Sequence, residues 1–282
     1  VNDRTRFIYE AACCGLRDFF VKNGYKKACV GVSGGIDSAV VACLAVAALG
    51  AENVRGLMMP SQFSSEGSVE DAKQLAENLG IEFHVVPITE AYRSIVDTLI
   101  PVIGGTDFDA TEENIQSRIR TLMLMALQNK NGYVLLNCSN KSENALGICT
   151  LYGDTGGAFS VTGDLYKTEM YDLARYINRK FGAPIPENIL TKEPSSELRP
   201  NQKDSDMLPS YEVVDAILYR LIEDGQSREE IINAGFDSDE VQKIYAMVMR
   251  NEKKRFQYPP VLRLSSSSFG HEYRMPLTHK LS

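Results

Sequence analysis

A chain of 282 residues with 44% hydrophobic side chains can bury a substantial core. Its net charge of -7 argues against nucleic acid as a partner, and the lack of any 18-residue apolar run argues against a membrane span. The six cysteines show no C-x-x-C or zinc spacing and no signal peptide is evident, which predicts a soluble protein of a reducing compartment, the cytoplasm.

Residues 3–23 place Phe7, Ile8, Ala11, Leu16, Phe19 and Phe20 at amphipathic helical spacing. A short apolar run at 28–32 predicts a buried strand, and 36–49 an apolar helix. Residues 54–59 predict a second strand ending at Pro60, 68–79 a helix closed by Gly80, and 82–87 a third strand. A long helix is expected from Glu112 to about Asn129 with Thr111 as its N-cap, then a strand at 133–137 and a helix at 167–180. Strands alternating with helices predict an α/β fold with a doubly wound, Rossmann-like parallel sheet, binding ligands at the carboxyl ends of its strands. After about residue 182 the pattern changes. Residues 183–209, carrying Pro184, Pro186, Pro194, Pro200 and Pro209, read as a long loop, either a lid or disordered. Helical patterns return at 211–224, 227–234 and 238–254, and the segment 250–282 holds seven Lys/Arg against two Glu. The expected division is a core to about 182, a lid at 183–209, and a C-terminal helical segment and tail at 210–282.

The turn Gly31-Val32-Ser33-Gly34-Gly35-Ile36-Asp37-Ser38 carries the strongest chemical signal. Glycines between strand and helix let the backbone approach a ligand, and the first N–H groups of the helix point unpaired into the turn. With the Ser33 and Ser38 hydroxyls alongside, this is a nest for phosphate or pyrophosphate. Asp37 would repel a phosphate unless a divalent cation joined them. The turn has neither the lysine of a Walker loop nor a three-glycine dinucleotide fingerprint. Glu143, just past the 133–137 strand, falls on the same sheet edge, and two hard oxygen ligands there could hold Mg²⁺ bridging ATP phosphates. The alternative makes Glu143 an N-terminal helix acid satisfying the dipole.

Ser-Gly-Gly-Ile-Asp-Ser resembles the pyrophosphate loop of ATP pyrophosphatases, which cleave ATP to AMP and pyrophosphate while activating a carbonyl or carboxylate. Further motifs narrow the resemblance: Asn140-Lys141-Ser142-Glu143, Thr150-Leu151-Tyr152-Gly153-Asp154, the stretches from Pro194 to Gln202 and Thr111 to Arg120, and the ending from Ser268 to Thr278. Together they are similar, over essentially the whole chain, to the synthetase domain of the glutamine-dependent NAD⁺ synthetases, which implies the adenine nucleotide alpha hydrolase-like fold. The resemblance implies that residues 31–38 cradle ATP, that Asp37 and Glu143 hold Mg²⁺, and that Cys138, Lys167 and Ser195 also contact ATP. It implies contacts to nicotinate adenine dinucleotide from Asn114, Glu143, Lys254 and either Arg118 or Arg120. Taken alone, Lys167 and Lys254 read as solvated helix lysines. Cys138 stands where the family usually has Thr, and a thiol is a poor donor there. Leu151 replaces the lysine of the ammonia-only branch.

The implied reaction transfers AMP from ATP to the nicotinate carboxylate, after which ammonia displaces AMP. Asp154, in a glycine-flanked loop, is a candidate to accept the ammonia proton. Family members are homodimers with the dinucleotide site at the interface, and the apolar 122–127 stretch is either that interface or core. The glutaminase domain of glutamine-dependent enzymes has no room before residue 28, so ammonia is expected to arrive free or from a domain absent here. The competing readings are a GMP synthetase-like amidase, a tRNA thiolase or lysidine synthase, and a non-catalytic nucleotide sensor.

Overall fold

The computed structural model describes residues 3–105, 107–270 and 272–278; His271 of the closing motif and Lys280 of the basic tail lie outside the described residues. Among the described residues the sheet has five strands, β1 (Lys27–Gly31), β2 (Val54–Met58), β3 (Glu82–Val85), β4 (Tyr133–Asn137) and β5 (Phe159–Ser160). Their order is β3-β2-β1-β4-β5 with every pairing parallel. Ala28 sits opposite Val54 on one side and Val134 on the other. The chain winds outward from β1 through β2 to β3, then returns to β4, so the order reverses between β1 and β4. That junction is where such sheets open a crevice.

Strand alternation sends side chains to two apolar layers. Ala28, Val30, Val54, Met58, Val134 and Leu136 join one cluster, under α1 (Asp3–Asn23), α2 (Ile36–Leu49), α3 (Glu66–Leu79) and later α7 (Lys167–Phe181). Cys29, Leu57, Tyr133 and Leu135 join the other, under α4 (Thr89–Ile103) and α5 (Ala110–Asn131). Residues on both faces are apolar because both faces are covered.

A third apolar cluster lies beyond the sheet. It is built by the short helix α6 (Lys141–Leu146) together with α9 (Tyr211–Ile222), α10 (Arg228–Asn233) and α11 (Ser238–Arg250). Helix α12 (Glu252–Arg255) follows, and its buried Arg255 donates to Ala145 O at 2.8 Å, tying it to α6. Lys141 is wholly buried, 2.8 Å from Asp164 and bonded to Glu223, and donates to Ser265 Oγ at 2.8 Å. The chain then returns to the sheet: Leu262 N donates to Ser160 O at 3.0 Å, covering the β5 edge.

Several elements differ from the sequence reading. The long helix begins at Ala110, capped by Asp109 rather than Thr111: Asp109 Oδ1 accepts from Thr111 N while Glu112 reaches back to Asp109 N. That is a capping box, in which two orphan donors are satisfied reciprocally. Helices α4 and α6 and the two-residue β5 are additions. Helix α4 has no fully buried residue and leans on α5 through partly covered Tyr92, Val96 and Leu99; it contains Pro101, which by sequence reads as a helix breaker. The proline-rich 183–209 segment contains α8 (Glu187–Thr191) and a 3-10 turn at Asp204–Asp206. Ile185 and Ile189 are buried in the first cluster, so its start is anchored in the core. Among the described residues no helix is long and apolar enough to cross a membrane.

Candidate active site

The glycine turn joins β1 to α2 at the crevice. Val32 N still pairs with Leu57 O at 2.8 Å, after which the backbone leaves the ladder. The two serines hold the turn itself: Ser38 Oγ accepts from Ser33 N at 3.1 Å and donates to Gly35 O at 3.0 Å, while Gly35 N donates to Ser33 Oγ at 3.2 Å. Gly34 has φ of 78°, and a Cβ there would lie 2.2 Å from Ser68 O of α3, so conformation and space both demand glycine. Helix α2 starts with no side-chain cap on its first turn. Its leading N–H groups are therefore left to a ligand.

Asp37 from this turn and Glu143 from the first turn of α6 converge on one ammonium. Lys167 Nζ lies 2.6 Å from Asp37 Oδ2 and 3.3 Å from Glu143 Oε1. Asn140 links the two acids: its Nδ2 donates to Asp37 Oδ1 at 2.9 Å, and its Oδ1 accepts from Glu143 N at 2.9 Å as the α6 cap. Lys167 is buried, not the solvated helix lysine that its sequence alone suggests. Burial works against its charge, but Asp37 and Glu143 more than offset that and hold the ammonium above lysine's ordinary range. Glu143 is raised, first by burial and then by the Asp37 charge. The Tyr211 ring lies 5.4 Å from Lys167 Nζ, and its hydroxyl donates to Asp204 at 2.7 Å.

These groups open onto a cavity of about 320 Å³ bounded by the glycine turn, the ends of β2 and β4, α5 and the 193–198 segment. Gly31, Val32, Ser33, Gly35, Ile36, Asp37, Ser38, Arg120, Cys138, Glu143, Asp154, Lys167 and Ser195 all line it. Arg120 donates to Met59 O at 2.9 Å, and burial lowers its guanidinium to about 10, still charged at neutral pH. Asp154 is open to the cavity but surrounded by protein, and burial raises it to about 6 against bonds from Thr150 N and Ser117. Burial, followed by the Asp37 and Glu143 charges, raises the Cys138 thiol, so it stays protonated.

Gly34, Asn114, Arg118 and Lys254 do not line this cavity. Gly34 faces α3. The other three gather on the 147–154 loop that forms one cavity wall. Asn114 Oδ1 accepts from Thr150 Oγ1 at 2.7 Å, Arg118 donates to Leu151 O at 3.2 Å, and Lys254 donates to Gly147 O at 2.6 Å and Cys149 O at 2.8 Å.

Sequence reasoning assigned no role to Asn140, although its capping-box partner three residues on was legible. It also missed Glu197 and Lys192, which carry no local signal. Glu197 accepts from Ser65 Oγ at 2.8 Å and Ser68 Oγ at 2.7 Å, and Lys192 reaches Asp71 at 3.2 Å. Gln116 Nε2 donates to Leu198 O at 2.9 Å. The proline-rich segment is thereby fastened across the cavity mouth to α3 and α5.

A five-stranded parallel sheet with reversed strand order and helices on both faces gives an α/β domain of the adenine nucleotide alpha hydrolase-like fold. The chain belongs to the NAD synthase family, whose model matches residues 8–258. It is 52% identical over 273 residues to the glutamine-dependent NAD(+) synthetase of Aquifex aeolicus, a match covering 97% of this chain and 48% of that protein. It superposes on the glutamine-dependent NAD+ synthetase of Acinetobacter baumannii in complex with ADP with a TM-score of 0.66 and 41% identity, over 97% of this chain and 49% of that one. The NH3-dependent NAD synthetase of Campylobacter jejuni matches with a TM-score of 0.69 and 30% identity, over 90% of this chain and 95% of that one. The chain thus spans about half the length of the glutamine-dependent relatives it matches.

Proposed function

We propose that this domain makes NAD⁺ by ATP-dependent amidation of nicotinate adenine dinucleotide, the last step of NAD biosynthesis, in the cytoplasm. One observation carries the reading: Asp37 and Glu143 share the Lys167 ammonium beside the uncapped start of α2, at the crevice between β1 and β4. The α2 N–H groups receive the pyrophosphate end of ATP, and Lys167 balances charge beside it. Two acids close enough to share one ammonium nitrogen are also placed to share a divalent ion, so Asp37 and Glu143 are the residues that would hold Mg²⁺. A Mg²⁺ ion held by Asp37 and Glu143 would supply charge neutralisation for the triphosphate and the pyrophosphate leaving group.

A nicotinate carboxylate oxygen attacks the α-phosphorus, the bond to pyrophosphate breaks, and an acyl adenylate forms. Ammonia then attacks the acyl carbon, the bond to AMP breaks, and the nitrogen gives up a proton. Asp154, ionised above about pH 6 and open to the cavity, accepts it. Asn114, Arg118 and Lys254, gathered on the 147–154 loop, and Arg120 on the cavity side bind the dinucleotide.

Leu122 on α5 and Val102, Ile103 and Phe108 nearby are exposed, which supports a homodimer meeting along α4 and α5 with the dinucleotide site at its interface. A glutaminase domain elsewhere in the protein would supply ammonia, as the length of the glutamine-dependent relatives suggests. The test incubates the protein with ATP, Mg²⁺, ammonium and one of nicotinate adenine dinucleotide, nicotinate mononucleotide or xanthosine monophosphate. Amide product with stoichiometric AMP from the dinucleotide alone supports the reading. AMP with no amide, or amidation of another acceptor in preference, overturns it.

A further inference from the structure

Helix α7 presents Lys167 as its first residue; Glu169 reaches back to accept from Tyr166 N at 3.1 Å, but Tyr166 offers no side-chain bond to the N–H groups of the turn. The first N–H groups of the helix are satisfied from two other helices. Lys167 N donates to Ser142 Oγ of α6 at 2.9 Å, and Thr168 N donates to Asp215 Oδ2 of α9 at 2.8 Å. Ser142 Oγ in turn donates to Asp215 Oδ1. One buried carboxylate therefore ties the backbone that carries Lys167 to the residue beside Glu143. Its helix is fixed by Val214, Ile217 and Leu218, all buried in the third apolar cluster.

We infer that Asp215 is the positioning residue of this site: by bonding Ser142 and the first turn of α7, it sets Lys167 between Asp37 and Glu143. This rests on the reading of the cavity as the adenylylation site. Asp215 does not line the cavity. It acts through Ser142 and the α7 backbone, and it joins the C-terminal helical layer to the chemistry. Glu169 closes the turn only at Tyr166 N, so without Asp215 the Thr168 N–H loses its partner, and at a reacting centre a shift near 1 Å costs about a hundredfold in rate.

The test compares Asp215→Asn, Asp215→Ala, Ser142→Ala and the control Ile217→Ala, which opens the same helix's apolar face without touching the cap. The readouts are kcat for amidation, MgATP affinity by calorimetry, and the thermal midpoint. Asn can accept only one of the two bonds, so kcat should fall about tenfold in Asp215→Asn and about a hundredfold in Asp215→Ala. MgATP affinity should weaken about fivefold in Asp215→Ala. Ser142→Ala added to Asp215→Ala should cost little more, because both remove one chain of bonds. Ile217→Ala should lower the midpoint while folded molecules keep kcat within about twofold. The assignment is overturned if folded Asp215→Ala keeps wild-type turnover and MgATP affinity, or if Ile217→Ala loses as much of both. If Asp215→Ala does not fold, Asp215→Asn and Ser142→Ala decide by the same readouts. If the wild-type protein forms no amide, the proposed function fails, and the MgATP affinities alone decide the Asp215 assignment.

Discussion

Substituting Lys167 by Met removes the cation that Asp37 and Glu143 share while keeping most of the side-chain volume. The Lys167 side chain is 4% exposed, that of Asp37 17% and that of Glu143 23%. Removing one partner of a buried ion pair costs about 3–5 kcal/mol, and the open cavity face lets water reach both acids, so the lower end, about 3 kcal/mol, applies. In a chain this long each kcal/mol moves the midpoint by about 2 °C, so Lys167→Met should melt about 6 °C below wild type at pH 7.5. The sign of its pH dependence follows from the two acids. Without the lysine they sit close together and unpaired, and Glu143, which Lys167 had been lowering, rises further above its value in the unfolded chain. The folded variant then binds more protons, and its stability falls as pH rises. The deficit should therefore shrink as pH falls and Glu143, already raised by burial and then by the Asp37 charge, takes up a proton. Mg²⁺ should substitute for the ammonium: at about 100 times its dissociation constant it returns about 2.7 kcal/mol to the variant. Wild type, whose lysine competes for the same oxygens, should gain less. Differential scanning calorimetry with and without Mg²⁺ reads both effects. A variant that melts with wild type, or an equal Mg²⁺ shift in both proteins, would refute the reasoning.

Gly34→Ala should be far more damaging than Gly35→Ala. The first forces a Cβ to 2.2 Å from the Ser68 backbone at φ of 78°, while the second meets only Ser33 Oγ at 3.3 Å. Urea unfolding should show a loss of about 2–4 kcal/mol for Gly34→Ala and under about 1 kcal/mol for Gly35→Ala. Asp154→Asn should abolish the limb of the amidation rate that rises through about pH 6, and a full rate in that variant would exclude Asp154 as proton acceptor. Glu197→Ala cuts the bonds to Ser65 and Ser68, so amide exchange across 193–202 should accelerate about tenfold while the sheet stays protected. Unchanged exchange there would mean that other contacts hold the segment.

The local chemistry of this chain was readable because it is written in contiguous residues. Apolar runs at 28–32 and 133–137, helices of whole turns between them, and a glycine pair at a strand end follow from periodicity and backbone sterics alone. They predicted strands and helices within a residue or two, and the glycine turn between β1 and α2 as a structural feature. Helix α4 escaped because Pro101 inside it reads as a helix breaker, and the Thr111 cap was misassigned because Asp109 competes for the same N–H groups. What the tertiary structure decided is which distant residues meet. Strand order, set by how helices cover two faces of one sheet, put β1 beside β4 and so brought Asp37 to Asn140 across 103 residues. It also turned Lys167 from an apparent surface lysine into the buried cation between two acids, with Asp215 fixing it from a helix about fifty residues later. Sequence spacing carries no information about such pairs, because the loop-closure cost between them rises only logarithmically with length and the packed core, not the chain order, selects the partner.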